Sequence, residues 1–428
     1  MSSSTPIVAQ RDDTAHGDGT SPRRIAIIGA GISGIATAAH ILQHNKHRHQ
    51  FEVTVFERSD FVGGVWEYDE RHPLEPGYPN DVPPAANPLP VSSSSQERPR
   101  PAYKGLKNNV PTSLMYSSLQ AWPEGTEEFV DRELIAKYIR DLADSTRARD
   151  HVVLNTSVES ISKHRNGEAD GQTHEAGDHA RNGDSIYRGK WTFDAVVVAS
   201  GHYHIPRLPE LPGLQAWRDA YPGSVSHAKG YRTPDRFPGS NVLIIGSSAS
   251  SHDIAKELSQ AGKTVYVSSR GGQWDIGAPE PAIKVGEILE FAAPAPAAAA
   301  AGGDAAAEDS RPKSRTVRLK DGTLLHDIDH VILATGYLTS YPFLGPRLQD
   351  PAVPAGQAGD EIVVTRDGLL THNLHRDIWY IPDPSLAFVG VVFHTSTFSM
   401  FDFQAAVVAR VLAGFAQLPA REEMREEY

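Results

Sequence analysis

The stretch IAIIGAGISG at residues 25–34 constrains the chain more than any other. The apolar run Ile25-Ala26-Ile27-Ile28 meets Gly29-Ala30-Gly31-Ile32-Ser33-Gly34, and small, helix-favouring residues follow as far as Leu42. This order predicts a strand, a tight turn and a helix packed close on a sheet. Gly29 lets the chain turn sharply, Gly31 lets the backbone approach a pyrophosphate, and Gly34 lets helix and strand touch, with Ser33 in the same turn. The helix amino terminus then faces the phosphates.

A lone glycine motif of this kind is weak, but a second apolar strand, Phe51-Glu52-Val53-Thr54-Val55-Phe56, ends in Glu57. A carboxylate there binds ribose hydroxyls and repels a 2′-phosphate, so this first site reads as one for FAD rather than NADP.

A second signature lies further on. Asn241-Val242-Leu243-Ile244-Ile245 reads as a strand, Gly246-Ser247-Ser248-Ala249-Ser250-Ser251 as its turn and residues 252–260 as its helix; residues 263–269 form the next strand, ending in Arg270. Serines replace the later glycines, which still permits close approach and adds hydroxyl donors for phosphate. Arg270 stands where the first signature has Glu57. A guanidinium pairs bidentately with a 2′-phosphate, so this site reads as NADPH.

Two further stretches echo each other. Asp194 precedes the β-branched run that closes at Gly201, and Asp329 precedes the run that closes at Thr335-Gly336-Tyr337. Each marks a point where the chain leaves one dinucleotide domain for the other. The expected fold is therefore α/β, with two nested Rossmann-like domains: a discontinuous FAD domain (23–215 and 331–420) and an inserted NADPH domain (216–330). Residues 1–22 read as a disordered leader and 421–428 as an acidic tail.

Composition narrows the function classes. A net charge of −12 argues against nucleic acid or an anionic membrane as partner. The absence of cysteine excludes disulfides, thiolate metal sites and a redox-active disulfide beside the flavin. No signal peptide and no membrane anchor is legible, so a cytoplasmic location is the default expectation. Oligomeric state stays open, a homo-oligomer being compatible with the sequence.

Several stretches keep two readings. Gly63-Gly64-Val65-Trp66 permits close approach to a flat ligand with Trp66 near its ring, or is an ordinary turn with a core tryptophan. In the stretch from Tyr103 to Pro111 an asparagine holds a backbone turn or offers its amide to a ligand. Residues 129–143 form an amphipathic helix whose apolar stripe is core. Residues 68–101, 163–190 and an alanine- and proline-rich insertion within 280–312 read as loops, Val152-Val153-Leu154 as a short strand, and residues 403–415 as a closing helix. His40, His44, His47 and His49 trail into polar residues and read as a solvated loop rather than a metal site; no metal is expected. No paired-carboxylate or Ser-His-Asp arrangement stands out.

Taken in order, Gly29 to Gly34, Gly63-Gly64-Val65-Trp66, the stretch around Asn109, Tyr221-x-Gly223-x-x-x-His227-x-x-x-Tyr231, the Gly246 turn and Ala334-Thr335-Gly336-Tyr337 resemble class B flavin-containing monooxygenases, especially fungal and yeast members. The resemblance spans roughly residues 23–415. Tyr221 replaces the family's usual Phe and keeps the aromatic ring.

The resemblance implies that NADPH reduces FAD, that O2 forms a C4a-hydroperoxyflavin shielded by NADP⁺, and that a soft sulfur or nitrogen centre of a small molecule takes the distal oxygen. Such chemistry needs a dry pocket rather than a protein base. By resemblance Asn109 holds NADP⁺ and the oxygenated flavin, and this chain carries Asn108 where Thr is common. His227 couples nicotinamide placement to the flavin site without acting as a base. Gly29, Gly31, Ser33, Gly34, Glu57, Gly64 and Trp66 serve FAD; Gly246, Ser248, Ser250, Arg270, Thr335 and Gly336 complete the nucleotide contacts. Tyr231-Arg232 stands where relatives that insert oxygen beside ketones usually carry Trp and then Pro or Asp. Baeyer-Villiger oxygenation and an NADPH oxidase or flavin reductase remain as alternatives, and specialised metabolism fits the fungal relatives.

Overall fold

Residues Ile25, Ala26, Ile27 and Ile28 are all buried, as a parallel strand covered on both faces must be. The structure, a computed structural model, describes residues 22–45, 50–73, 76–84, 99–165, 172–182, 185–237, 239–292, 315–392 and 397–428. Its contacts divide the chain into two units. One holds residues 1–71, 82–205 and 338–428, the other 72–81 and 206–337.

In the first unit the Arg23–Ile28 strand pairs in parallel with Phe51–Phe56 on one side and Ala195–Val198 on the other. Val152–Val153 and Leu386–Phe388 extend the sheet in parallel, and two short antiparallel strands, Leu374–His375 and Trp379–Tyr380, finish it at seven. The Ile32–Asn45 helix covers one face with Arg132–Ser145 and Phe398–Leu412. Ile25, Ile27, Ile35 and Ile41 are wholly buried there, each worth about 2 to 3 kcal/mol of transfer free energy.

The second unit repeats the plan with five parallel strands, in the order Ile283–Val285, Thr264–Ser268, Asn241–Ile245, His330–Leu333 and Val225–His227. The Ala249–Gln260 helix follows its first turn. Ile288–Phe291, Val317–Leu319 and Leu324–Leu325 form a small antiparallel sheet in the same unit. The α/β fold with two Rossmann-like sheets is therefore present as expected.

Several local expectations change. The described residues within 163–190 are strands rather than a loop: Thr156–Arg165, Gln172–Asn182 and Ser185–Phe193 make an antiparallel sheet. Such strands need only one apolar face, so a polar sequence hides them from a search for hydrophobic runs. The insertion expected from residue 280 begins later, since Ile283–Val285 and Ile288–Phe291 are strands; residues 293–314 lie outside the described residues. Within the proline-rich stretch 68–101, residues 72–81 are built into the second unit. Asn80 and Leu208 exchange backbone hydrogen bonds at 2.9 and 2.8 Å, and the Leu211 N–H donates to Tyr78 Oη at 2.6 Å. Residues 74–75 and 85–98 lie outside the described residues.

The closing helix is Phe398–Leu412, five residues earlier at its start than expected, because the Thr397 hydroxyl accepts the Met400 N–H at 3.3 Å. The acidic tail contains a helix, Arg421–Glu427, with Met424 buried and Arg425 donating to Asn373 Oδ1 at 2.6 Å. The leader's first 21 residues lie outside the described residues.

His40 is a further correction. It is buried, and its Nε2 lies 2.9 Å from Asp402 Oδ1, joining the first helix to the Phe398–Leu412 helix. Ser117 Oγ donates to the same oxygen at 2.5 Å and the Ser118 N–H donates to Oδ2 at 2.9 Å. Burial alone would raise the Asp402 carboxyl, but these donors outweigh it and hold the pKa down to about 2. His44 lies at the end of the same helix; His47 and His49 lie outside the described residues.

Candidate functional site: two dinucleotide turns

The first turn is built by backbone contact. Gly29 has φ +106°, and a Cβ on it would lie 2.6 Å from the Ala199 carbonyl oxygen. One on Gly34 would lie 1.9 Å from the residue 29 backbone oxygen, so helix and turn touch only because residue 34 is glycine. Gly31 differs: a Cβ there would meet only the Gly64 Cα, at 3.6 Å. The Gly63 N–H donates to the Ala30 oxygen at 3.1 Å, which lays the second glycine pair against the turn. Gly31 and Gly64 thus form a cradle without side chains at the amino terminus of a 14-residue helix that has no acidic residue in its first turn. That cradle fits a pyrophosphate.

Glu57 is buried at the end of the neighbouring strand. Its Oε2 accepts the Ala30 N–H at 2.8 Å, and Oε1 accepts the Ser59 N–H at 2.9 Å and the Ser59 hydroxyl. The carboxylate is thereby fixed beside the turn with lone pairs left for a ribose hydroxyl. Arg100, which sequence reasoning missed, lies over the Phe61 ring at 3.7 Å; burial draws its pKa down to about 10 while Glu57 opposes the shift. It stays cationic at neutral pH. Ser33 is buried under the turn, its backbone oxygen accepting from Thr37 Oγ1 at 2.7 Å.

Trp66 is half-buried and meets Phe398 edge-on at 6.3 Å, in an aromatic group with Tyr138 and Trp122. It is part of the core. The two asparagines divide their roles. Asn108 is buried, accepting the Val130 N–H at 2.6 Å and donating to the Val110 and Glu128 oxygens at 2.7 and 2.8 Å. Asn109 is exposed and has no hydrogen-bond partner among the described residues. Its amide is available.

The second turn repeats the first. Gly246 has φ +113°, and a Cβ on it would lie 2.3 Å from the Ala334 oxygen. Ser248 and Ser250 are exposed at the amino end of the Ala249–Gln260 helix, and Arg270 is exposed after the next strand, without an ion-pair partner among the described residues. Four side chains that sequence reasoning did not single out as site residues knit this region together. Ser247 Oγ donates to Ser269 Oγ at 2.9 Å, Ser269 Oγ to Asp275 Oδ2 at 2.6 Å, and Lys284 Nζ lies 2.9 Å from the same oxygen. Hydrogen bonds from Ser269 and then Lys284 hold the Asp275 carboxyl well below the usual range. Ser269, directly before Arg270 at a strand end, was the available sequence signal.

Thr335 and Gly336 are tied into the second unit by hydrogen bonds. Thr335 Oγ1 donates to the Arg207 oxygen, and the Gly336 oxygen accepts from the Arg207 N–H at 2.9 Å and from His227 Nε2 at 3.1 Å. His227 Nδ1 accepts the Lys229 N–H at 3.0 Å, which fixes the ring as the Nε2–H tautomer. Burial pushes its pKa down to about 3, so the ring is neutral near pH 7. With both nitrogens engaged, His227 is a linchpin of the second unit. Among the described residues no group of three or more His, Asp or Glu could hold a metal ion, and no helix is long and apolar enough to cross a membrane.

Comparison with known proteins agrees with this geometry. Residues 91–280 and 311–428 match the model of the flavin-binding monooxygenase-like family, and residues 27–94 match an NAD(P)-binding Rossmann-like domain. Flavin-containing monooxygenase ustF2 of Aspergillus flavus is 37% identical over 95% of this chain and 85% of its own length. Trimethylamine monooxygenase of Methylocella silvestris is 28% identical over 94% and 77% of the two chains. S-allyl-L-cysteine S-oxygenase from Allium sativum superposes with a TM-score of 0.69 at 25% identity, covering 95% of this chain and 80% of that one.

Proposed function

Because the chain belongs to the flavin-binding monooxygenase-like family, we propose that it transfers one oxygen atom of O2 to a soft sulfur or nitrogen centre of a small molecule. Its cofactors are FAD and NADPH. The balance is NADPH, a proton, O2 and substrate giving NADP⁺, water and the oxygenated substrate. Relatives act on sulfur and on nitrogen by name, which supports the substrate class.

One observation carries the assignment of the two cofactors: the turns share one construction but end in opposite charge, Glu57 in the first unit and Arg270 in the second. FAD accordingly belongs to the first turn and NADPH to the second. Bound flavin supplies the activation of oxygen, and the chain supplies placement. Gly31, Gly64 and the helix amino terminus hold the pyrophosphate of FAD, with Glu57 on its ribose. Ser248, Ser250 and Arg270 hold NADPH. Asn109, with its amide exposed, orients the bound cofactors, and His227 keeps the second unit in shape as a positioning residue rather than an acid or base.

The test is incubation of FAD-loaded protein with NADPH and isotopically labelled O2 against thioethers, thiols, tertiary amines and cyclic ketones, with mass spectrometry of the products. Label in a sulfoxide, sulfenic product or N-oxide supports the reading. Label found in lactones or esters alone would replace it with ketone oxygenation.

A further inference from the structure

A carboxylate is the wrong group to place near a 2′-phosphate, yet Asp275 is one hydrogen bond from Ser269, the residue before Arg270. Its side chain is almost wholly buried, with Oδ2 shared between Ser269 Oγ at 2.6 Å and Lys284 Nζ at 2.9 Å, and Oδ1 accepting the Gly277 N–H at 2.9 Å. The loop that carries it is tied back on the second nucleotide turn, since the Ile276 N–H donates to the Ser247 oxygen at 3.0 Å and the Gly271 N–H to Ser269 Oγ at 3.0 Å. Arg270 remains exposed on that loop.

Lys284 reaches Asp275 from the adjoining Ile283–Val285 strand. Beside it opens a cavity of about 460 Å³, bordered by Ser269, Lys284, Gly286, Leu319, Asp321 and Thr323. Asp321 accepts the Thr323 N–H at 2.9 Å at the exposed hairpin tip, where water screens its charge. Asp275 is instead held in an ion pair at the strand end. Its charge is balanced by Lys284.

We propose that Lys284 is a specificity-determining residue for the second dinucleotide: it cancels the Asp275 charge at the end of the Thr264–Ser268 strand, so that Arg270 meets a 2′-phosphate unopposed. The inference rests on the reading of the second unit as the NADPH site. Without Lys284, the carboxylate stays fixed by Ser269 and Gly277 but uncompensated, repelling a phosphate and tolerating a ribose hydroxyl.

Calorimetric titration of FAD-loaded protein with NADP⁺ and with NAD⁺ tests this on the wild type, Arg270→Ala, Lys284→Met, Lys284→Gln and the double variant Lys284→Met with Asp275→Asn. Either single Lys284 variant loses about tenfold of the preference for NADP⁺, and the double variant regains it because the unmasked charge is gone. Added salt narrows the loss. An equal loss with both nucleotides, or a double variant that does not recover, overturns the masking role and leaves Lys284 as a structural ion pair. A wild type without preference, or one whose preference survives Arg270→Ala, overturns the reading of the unit itself; an effect at Arg270 with none at Lys284 overturns this inference alone.

Discussion

Gly29 and Ala199 approach so closely that a Cβ on the glycine would lie 2.6 Å from the Ala199 carbonyl oxygen, and Gly246 and Ala334 repeat the relation at 2.3 Å in the other unit. At both turns the backbone φ is positive, so any side chain adds strain to the clash. Gly29→Ala therefore lowers apoprotein stability by about 2 kcal/mol or more. Gly31→Ala is the contrast, because its Cβ meets only ordinary contact with Gly64. That variant keeps a melting temperature near the wild type's and loses bound flavin, read as the ratio of flavin to protein absorbance. A yellow Gly31→Ala protein would remove the pyrophosphate from this cradle.

Arg270 is exposed and unpaired among the described residues, so its removal disturbs little of the fold. Arg270→Ala raises the KM for NADPH by about ten- to a hundredfold, the worth of one or two hydrogen bonds to a charged phosphate, and leaves the KM for NADH nearly unchanged. Initial rates with the two nucleotides check this; equal losses would contradict the assignment.

The neighbouring asparagines separate stability from function. Asn108→Ala leaves the Val110 oxygen and the Val130 N–H without a partner, while the Glu128 oxygen keeps the Thr112 N–H, and costs about 2 to 3 kcal/mol of stability. Asn109→Ala leaves the melting temperature unchanged but raises the fraction of NADPH electrons released as hydrogen peroxide. A stable, fully coupled Asn109→Ala protein would remove that residue from the cofactor site.

Acid weakens the second unit through two buried histidines. The pKa of His227 is lowered to about 3 and that of His330 to about 4, in both cases first by burial. The unfolded chain binds a proton at each near pH 6.5 while the folded chain does not, so the stability they contribute is complete above about pH 6.5 and is lost as pH falls towards the folded values. At about pH 5 each neutral ring costs about 2 kcal/mol of stability. Melting curves of wild type and His227→Gln between pH 7 and 5 show a shallower decline for the variant.

How much of this could be read from sequence depended on how local the signal was. The glycine turns and their strand-end charges are contiguous motifs, and Asp194 and Asp329 do the same job in each unit, accepting the backbone N–H of Arg24 at 2.6 Å and of Asn241 at 3.0 Å. The polar strands between Thr156 and Phe193 escaped notice because their pairing is made by the backbone, with no apolar run to mark it. His40 looked solvated because its partner, Asp402, lies 362 positions away. The Ser247, Ser269, Asp275 and Lys284 network is likewise assembled by the sheet, from a turn, a strand end, a loop and the next strand. Asn108 and Asn109 have one chemistry, and only burial tells them apart.

Oxygen transfer is the central claim, and the stoichiometry of turnover tests it most directly. With an accepted thioether, thiol or amine, the FAD-loaded protein should consume one NADPH and one O2 for each oxygenated product and release little peroxide. Peroxide equal to the NADPH consumed, with every such compound unchanged, would contradict the account and make the protein an NADPH oxidase.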